Sequence, residues 1–406
     1  MNELRLPGLA ARRRSLFWRI HFWAALIASP FALVATLTGA LYIFTPQIEA
    51  GLYGRLERVA PQGARLPLDA AVAAAVDAAP AGKLTVFVDR YRATVLGSQR
   101  DEDRFSEWAR RLHSRLLQGE SLRWMIELAA SWMLVMLLTG VWLWWPRSDA
   151  AGQPALPRAG VRGRADWRQW HAFLGVLLGV LSLAMVLTGV AWSKYAGENV
   201  RALRDRAGQA SPKVPERLHS MPQGGPQPVS PMSFQQAWDR TRALVPGALP
   251  QLAPPRGPHG VWRASSADRR HPQDRFDLVL DAYGGQVLYR AGWERQTVFG
   301  KATAVGIPFH RGELGVWNQV LLFVFAAGVP FSLVSGWAMF FKRRRSGLAG
   351  LPKLAPGAWR AAPPAAVAIG IGLCALMPLL ALSAAVVAAV EAALGWRRRR
   401  DGAAAA

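Results

Sequence analysis

Four apolar runs divide the chain: Phe22–Phe44, Trp124–Trp145, Ala172–Trp192 and Val316–Phe341. Each is long enough to cross a bilayer as a helix, which takes about 20 residues. The stretches between them alternate in kind. Segments 45–123 and 193–315 are long and mix both charge signs, whereas 146–170 is short and basic. Within the long segments the pattern predicts a helix over Leu66–Pro80 and strands over Lys83–Val88 and Arg92–Leu96. It then repeats, with a helix over Met232–Pro246 and strands over Val261–Ser265, Arg275–Leu280 and Gln286–Tyr289. The last two strands are joined through Asp281–Gly285, which has turn composition. Gln209–Pro231, rich in Pro, Gly and Ser, reads as an irregular linker. The layout is a duplication: helix, outer segment, helix, and the same again. A last apolar run, Ala365–Leu394, is interrupted by Pro378. Crossing there would put Arg397–Arg400 on the side where basic residues are rare, so a kinked hairpin is favoured over a fifth helix.

The fold class that follows is an α-helical polytopic membrane protein. It has a four-helix bundle, two small α+β outer domains and a C-terminal apolar hairpin or fifth helix. The expected boundaries are 1–44 for the N-terminus and first helix, 45–123 for the first outer domain and 124–145 for the second helix. A loop at 146–170, a helix at 171–192, an outer domain at 193–315, a helix at 316–341 and a basic, apolar tail at 342–406 complete it. Composition agrees: of 406 residues 51% are apolar, and many of the 18 Trp gather at the ends of the runs, as at membrane interfaces. Phe22–Phe44 is expected to remain as a helix, because no small-residue cleavage motif follows it.

A net charge of +23 could suggest a nucleic-acid partner. Its distribution argues for the lipid bilayer and no nucleic acid. Segments 1–20, 146–170 and 342–363 hold sixteen Lys/Arg against three acids. Short basic flanks of this kind face the cytoplasm. The N-terminus is therefore expected inside and the two long segments outside, in a bacterial periplasm. The single cysteine, Cys374, lies in an apolar run. Disulfides, thiolate iron–sulfur clusters and C-x-x-C-H haem attachment are excluded on that count.

Four of the seven histidines stand at the mouths of the four runs: His21, His113, His171 and His310. His21 precedes Thr38-Gly39 by the same distance as His171 precedes Thr188-Gly189. His113 and Thr139-Gly140, and His310 and Ser335-Gly336, show nearly the same rhyme. One interfacial histidine is most simply a hydrogen-bonded residue. Four in matched pairs point to axial ligation, with two haem b groups as the expected cofactors. His21 and His171 would hold a cytoplasmic-side haem, His113 and His310 a periplasmic-side one. From His21 to Gly39 a helix rises about 27 Å, so Gly39 and Gly189 are expected at the level of the outer pair. Gly140 and Gly336 are expected at the level of the inner pair. Lacking Cβ, they would admit a flat macrocycle, although for the glycines alone helix packing is the more ordinary reading. Arg19 and Arg168 beside the inner pair, and Arg111, Arg115 and Arg311 beside the outer, are candidate propionate partners. Glu127 is expected to pair with Arg123. His219, His259 and His271 are expected at the surface, and Met133, Met136 and Met185 as packing residues.

The motifs Arg19-Ile-His21, Leu112-His-Ser-Arg-Leu-Leu-Gln-Gly119, Thr139-Gly-Val-Trp-Leu-Trp-Trp-Pro146 and Phe309-His-Arg-Gly-Glu-Leu-Gly315 recur in order along nearly the whole chain. In this the chain resembles the PepSY-associated transmembrane family. The resemblance implies a haem-containing inner-membrane reductase of the ferric-siderophore type, with PepSY-like outer domains. The implied partner is a ferric siderophore or other ferric chelate. Some relatives carry a fused cytoplasmic flavin or NADPH-binding domain. None is visible after residue 400, so a separate donor is expected: a quinol, a flavin or another reductase. A quinol-linked cytochrome b subunit and a membrane-anchored periplasmic binding protein remain alternative readings.

Overall fold

The structure is a computed structural model that describes residues 7–79, 84–117, 119–145, 156–222, 230–268, 270–343 and 351–404. Pro80 and Lys83, residues 146–155 of the loop, 223–229 of the linker and 344–350 of the basic tail lie outside the described residues. Among those described, thirteen α-helices and two small sheets form two compact units. One unit comprises Met1–Ala40, Arg111–Leu203 and Leu321–Ala406; the other comprises Leu41–Arg110 and Arg204–Val320.

The first unit is helical. Its long elements are α1 (Leu9–Ile43), whose last residues belong to the other unit, and α5 (Arg123–Trp144). In chain order between them come α2 (Thr45–Glu57), α3 (Leu68–Ala78) and α4 (Phe105–Arg115). α6 (Arg164–Leu177) and α7 (Gly179–Val190) follow, then α8 (Tyr195–Arg206), α9 (Phe234–Leu244), α10 (Val298–Arg311) and α11 (Val316–Phe341). The chain closes with α12 (Pro364–Leu376) and α13 (Pro378–Ala404). By length and composition, Leu9–Ile43, Gly119–Trp144, Val316–Phe341 and Pro378–Arg397 are able to cross a membrane. The chain is a multi-pass membrane protein. Small residues of α1, Ala24 and Ala28, pack fully buried with Trp132, Leu134, Val190, Met377 and Leu380. Small side chains let helix backbones approach where no hydrophobic drive exists between helices in lipid.

Three features depart from the sequence reading. First, α1 begins at Leu9, thirteen residues before the apolar run, so His21 lies inside a helix and not at its mouth. Ala, Leu and Arg dominate that extension, and all propagate helix well. Second, the third run is not one straight span. α6 and α7 meet at a 55° bend at Leu178, with Gly175 and Gly179 close by. Glycine weakens the helix there, and Leu178 seats itself on Gly328 of α11, where a Cβ would come within 2.6 Å of its Cδ1. Third, the C-terminal run does break at Pro378, but its second half alone is long enough to be a span.

The second unit holds the sheets. Strands β1 (Thr85–Asp89) and β2 (Thr94–Gln99) form an antiparallel pair. β3 (Pro250–Ala253), β4 (Val261–Ser266), β5 (Phe276–Asp281) and β6 (Val287–Gly292) form an antiparallel meander in that order. The inward side chains Trp262, Ala264, Phe276, Leu278 and Leu280 pack with Ala237 of α9, and Phe234 meets Trp262 edge-on at 4.9 Å. The Asp281–Gly285 turn forms as expected: the Asp281 carboxylate accepts from the Tyr283 and Gly284 amides, and Gly285 takes φ +66°. β3 was not anticipated, since four residues opening on a proline carry little strand signal. The two segments expected as separate outer domains fold into one unit. Its hinge pin is a reciprocal cap. Asp69 accepts from the amides of Phe234 and Gln235 at the start of α9, while Gln235 Oε1 accepts from the Leu68 amide at the start of α3. Equivalent positions of two duplicated helices thus satisfy each other's free amides.

Candidate functional site

Within the helical unit His21 and His171 face each other, ring centroids 6.4 Å apart and planes at 81°. Each ring is held from a neighbouring helix in the same way. His21 Nδ1 lies 3.1 Å from the Met136 carbonyl and 3.0 Å from Thr139 Oγ1 of α5. His171 Nδ1 lies 2.9 Å from the Ser332 carbonyl and 3.0 Å from Ser335 Oγ of α11. The hydroxyls already donate their protons backward, Thr139 to the Val135 and Met136 carbonyls and Ser335 to that of Ser332. Both partners of each Nδ1 can therefore only accept. The proton must sit on Nδ1, and Nε2 keeps its lone pair.

The glycine that follows each hydroxyl lies under the ring. A Cβ on Gly140 would come within 3.3 Å of His21 Cε1, and one on Gly336 within 3.5 Å of His171 Cε1. His113 of α4 has the same seat on α1. Its Nδ1 lies 3.1 Å from Thr38 Oγ1 and meets the Ala35 backbone, and a Cβ on Gly39 would stand 3.4 Å from its Cε1. The rule common to the three is a carbonyl at one position, a hydroxyl three residues on and a glycine at the fourth. The sequence placed Gly140 and Gly336 at the level of His21 and His171, and Gly39 at that of His113; the structure puts them there. The expected role changes: each glycine makes room for an imidazole. Met185, Thr188 and Gly189 repeat the rule on α7, where the Thr188 hydroxyl donates to the Ala184 and Met185 carbonyls. His310 is half-buried near the end of α10 in the other unit.

An open cleft adjoins His21 and His171. Trp18, Phe22, Met136, Trp337 and Phe340 make it apolar, and Trp337 is fixed by donating to Ser29 Oγ at 2.9 Å. The cations lining it are Arg164 and Arg343. Sequence reasoning missed both. A spacing argument would have found them, since Arg164 is seven residues before His171 and Arg343 seven after Gly336.

The arginines singled out from sequence are placed elsewhere. Arg19 is fully buried, its Nε 2.6 Å from Glu391 of α13 and its Nη1 donating to the Pro352 carbonyl. Trp23 donates to the same carboxylate. Arg168 is exposed on α6 and does not line the cleft. Arg115 pairs with Glu120 at 2.6 Å, and Arg111 is half-buried on α4. In the other unit Arg311 donates to Tyr42 Oη and pairs with Glu313. Glu127 does not pair with Arg123. It is buried and accepts from the Tyr195 and Ala196 amides at the start of α8, whereas Arg123 goes to Glu120 and the Trp192 carbonyl. His259 bonds the Ser220 carbonyl, and His271 stands 3.7 Å from Asp268.

Two neighbouring imidazoles, each with Nδ1 committed and Nε2 left free, are a donor set that would suit a haem iron. No group of three His, Cys, Asp or Glu side chains that could hold a bare metal ion is present among the described residues. In comparison with known proteins, the pattern of the family described as PepSY-associated TM region matches residues 18–343. No curated protein matches the chain.

Proposed function

The chain belongs to the PepSY-associated TM region family, and on that premise we propose that it is a di-haem b reductase of the bacterial inner membrane. In this reading electrons pass from a cytoplasmic or membrane donor to a ferric siderophore or other ferric chelate outside, which releases Fe(II). The observation that carries it is the facing pair His21 and His171, each with Nδ1 committed and Nε2 free, beside an aromatic cleft. His21 and His171 would hold the group, and a haem there would supply one-electron exchange between Fe(III) and Fe(II), which suits electron carriage. His113 sits in the same kind of seat, and the sequence rhyme pairs it with His310 for the second haem.

The protein's own part is positional. Thr139 and Ser335, with the carbonyls beside them, fix the tautomer and aim of the ligating rings. Gly140 and Gly336 let those rings lie against the helices. Trp18, Phe22 and Phe340 keep the cleft apolar and water-poor, which holds the local charges under the control of fixed dipoles. Outside, segment 193–315 carries seventeen basic and ten acidic residues, a field that attracts an anionic chelate. The N-terminus is assigned to the cytoplasm by the basic flanks.

The test is direct. The full chain purified in detergent should show a low-spin b-type spectrum with about two haems per chain by pyridine haemochrome. His21→Ala or His171→Ala should each remove one of them. Dithionite-reduced protein should be reoxidised by a ferric siderophore, with Fe(II) trapped by ferrozine. Protein without haem, or reduced protein that no ferric chelate reoxidises, overturns the reading.

A further inference from the structure

The cleft beside His21 and His171 carries two guanidinium groups and no acid. Arg164 and Arg343 are its charged lining residues. Among the described residues no carboxylate pairs with either, although ten other arginine or histidine side chains find acidic partners. Glu391 of α13 is taken by Arg19 and Trp23. Arg343 Nη2 is buried with no hydrogen-bond partner. A buried charged donor left unmet is costly, and an anion bound there would satisfy it. The Arg343 guanidinium is also held below its ordinary pKa, first by burial and then by the cations Arg164 and Arg19. Two like charges on an apolar cleft, the Arg164 side chain exposed and the Arg343 side chain half-buried, with no paired carboxylate among the described residues, suit an anion.

Their register repeats the duplication. Arg164 precedes His171 by two helical turns, about 10.5 Å of rise at 1.5 Å per residue. Arg343 follows Gly336, the seat of the same imidazole, by the same seven residues. Both arginines line the cleft that the imidazole adjoins. The phenyl ring of Phe340 lies beneath the Arg343 guanidinium at 5.9 Å and aims its fork.

We propose that Arg164 and Arg343 are the paired carboxylate seat of this site: each guanidinium receives one propionate of the haem held by His21 and His171. The inference rests on the haem reading given above. It replaces Arg19 and Arg168 in that role, because Arg19 is spent on Glu391 and Arg168 does not line the cleft.

The experiment separates the two claims. The full-length protein is produced in haem-starved cells, purified in detergent and titrated with haem or with haem dimethyl ester, which keeps the ring and iron but has no carboxylates. Binding is read from the Soret band and referred to a His21→Ala/His171→Ala control. The wild type should bind the free acid about ten- to a hundredfold more tightly than the diester, the equivalent of one or two charge-assisted hydrogen bonds. Arg164→Gln/Arg343→Gln should bind both with nearly equal affinity. Arg164→Lys/Arg343→Lys, which keeps the charge, should retain part of the preference, and a merely structural role for the arginines would not produce that rescue. An unchanged preference in the Gln variant overturns the assignment, including the case where bound anionic lipid is lost instead. If neither compound gives a histidine-dependent spectrum in the wild type, the haem reading falls and this assignment with it.

Discussion

Gly140→Val tests the ring seat most sharply. A Cβ at this position stands 3.3 Å from His21 Cε1 and 3.7 Å from Nδ1. Alanine therefore asks the ring to yield by a few tenths of an ångström. Valine adds methyls about 1.5 Å further out, and in a helix its χ1 is nearly fixed, so they cannot be steered aside. The ring must then move by more than about 1 Å, which takes Nδ1 beyond hydrogen-bond reach of Thr139 Oγ1 and the Met136 carbonyl, now at 3.0 and 3.1 Å. Overpacking costs about 1–3 kcal/mol and an unmet buried donor about the same again. A loss of about 2–6 kcal/mol corresponds to roughly thirty- to twenty-thousandfold in occupancy. The expected result is a stable protein that loses the haem assigned to His21 and His171 and keeps the other. Gly140→Ala should keep both, with a shifted spectrum. Pyridine haemochrome counts and a detergent melt on each variant decide the matter. A valine variant with full haem and an unaltered spectrum would refute the seat, as would an alanine variant equally damaged.

Two further predictions concern the framework. Glu127→Ala strips the Tyr195 and Ala196 amides of the carboxylate that caps them at the start of α8; thermal unfolding in detergent should show a loss of about 1–3 kcal/mol, and Glu127→Gln should recover part of it. In the mixed unit Glu49 accepts from Arg104 at 2.8 Å and from the Ser106 amide. Burial alone would raise its pKa, but these bonds outweigh it and the net shift is downward. Ionised Glu49 thus stabilises the fold fully above its ordinary value of about 4.3. That contribution should disappear as pH falls from there through the lower folded-state value, so Glu49→Gln should flatten the acid limb of the unfolding curve.

The long apolar helices, the outer strands β1, β2, β4, β5 and β6 and the nearness of His21 to His171 were legible because hydropathy and spacing survive in one dimension. Residue-level pairing was not. Arg19 reads like any basic residue at a helix mouth, and only the return of α13, 372 positions later, shows Glu391 waiting for it. Arg123 and Glu127 are four apart on one helix, the spacing of a local ion pair, yet Glu127 is drawn to the amides of α8, where an unmet donor costs more than an exposed ion pair returns. The bend at Leu178 was hidden for a similar reason: glycines are common in membrane helices, and what selects this one is Gly328 on another helix.

The Thr-Gly rhyme itself gains a different meaning. Measured along the chain, it linked each histidine to the pair on its own or its following helix. In space, His21 rests on Thr139-Gly140, His171 on Ser335-Gly336 and His113 on Thr38-Gly39, so helix α1 carries one imidazole inward and supplies the seat for another. Helices α1, α5 and α11 each fix a ring that they do not carry, and a shift of any of these three disturbs a histidine on its neighbour. That coupling explains why the carbonyl, hydroxyl and glycine recur together. Glycine alone would serve packing, and hydroxyl alone would bond its own helix, but only the set of three both admits an imidazole and dictates which nitrogen keeps its proton.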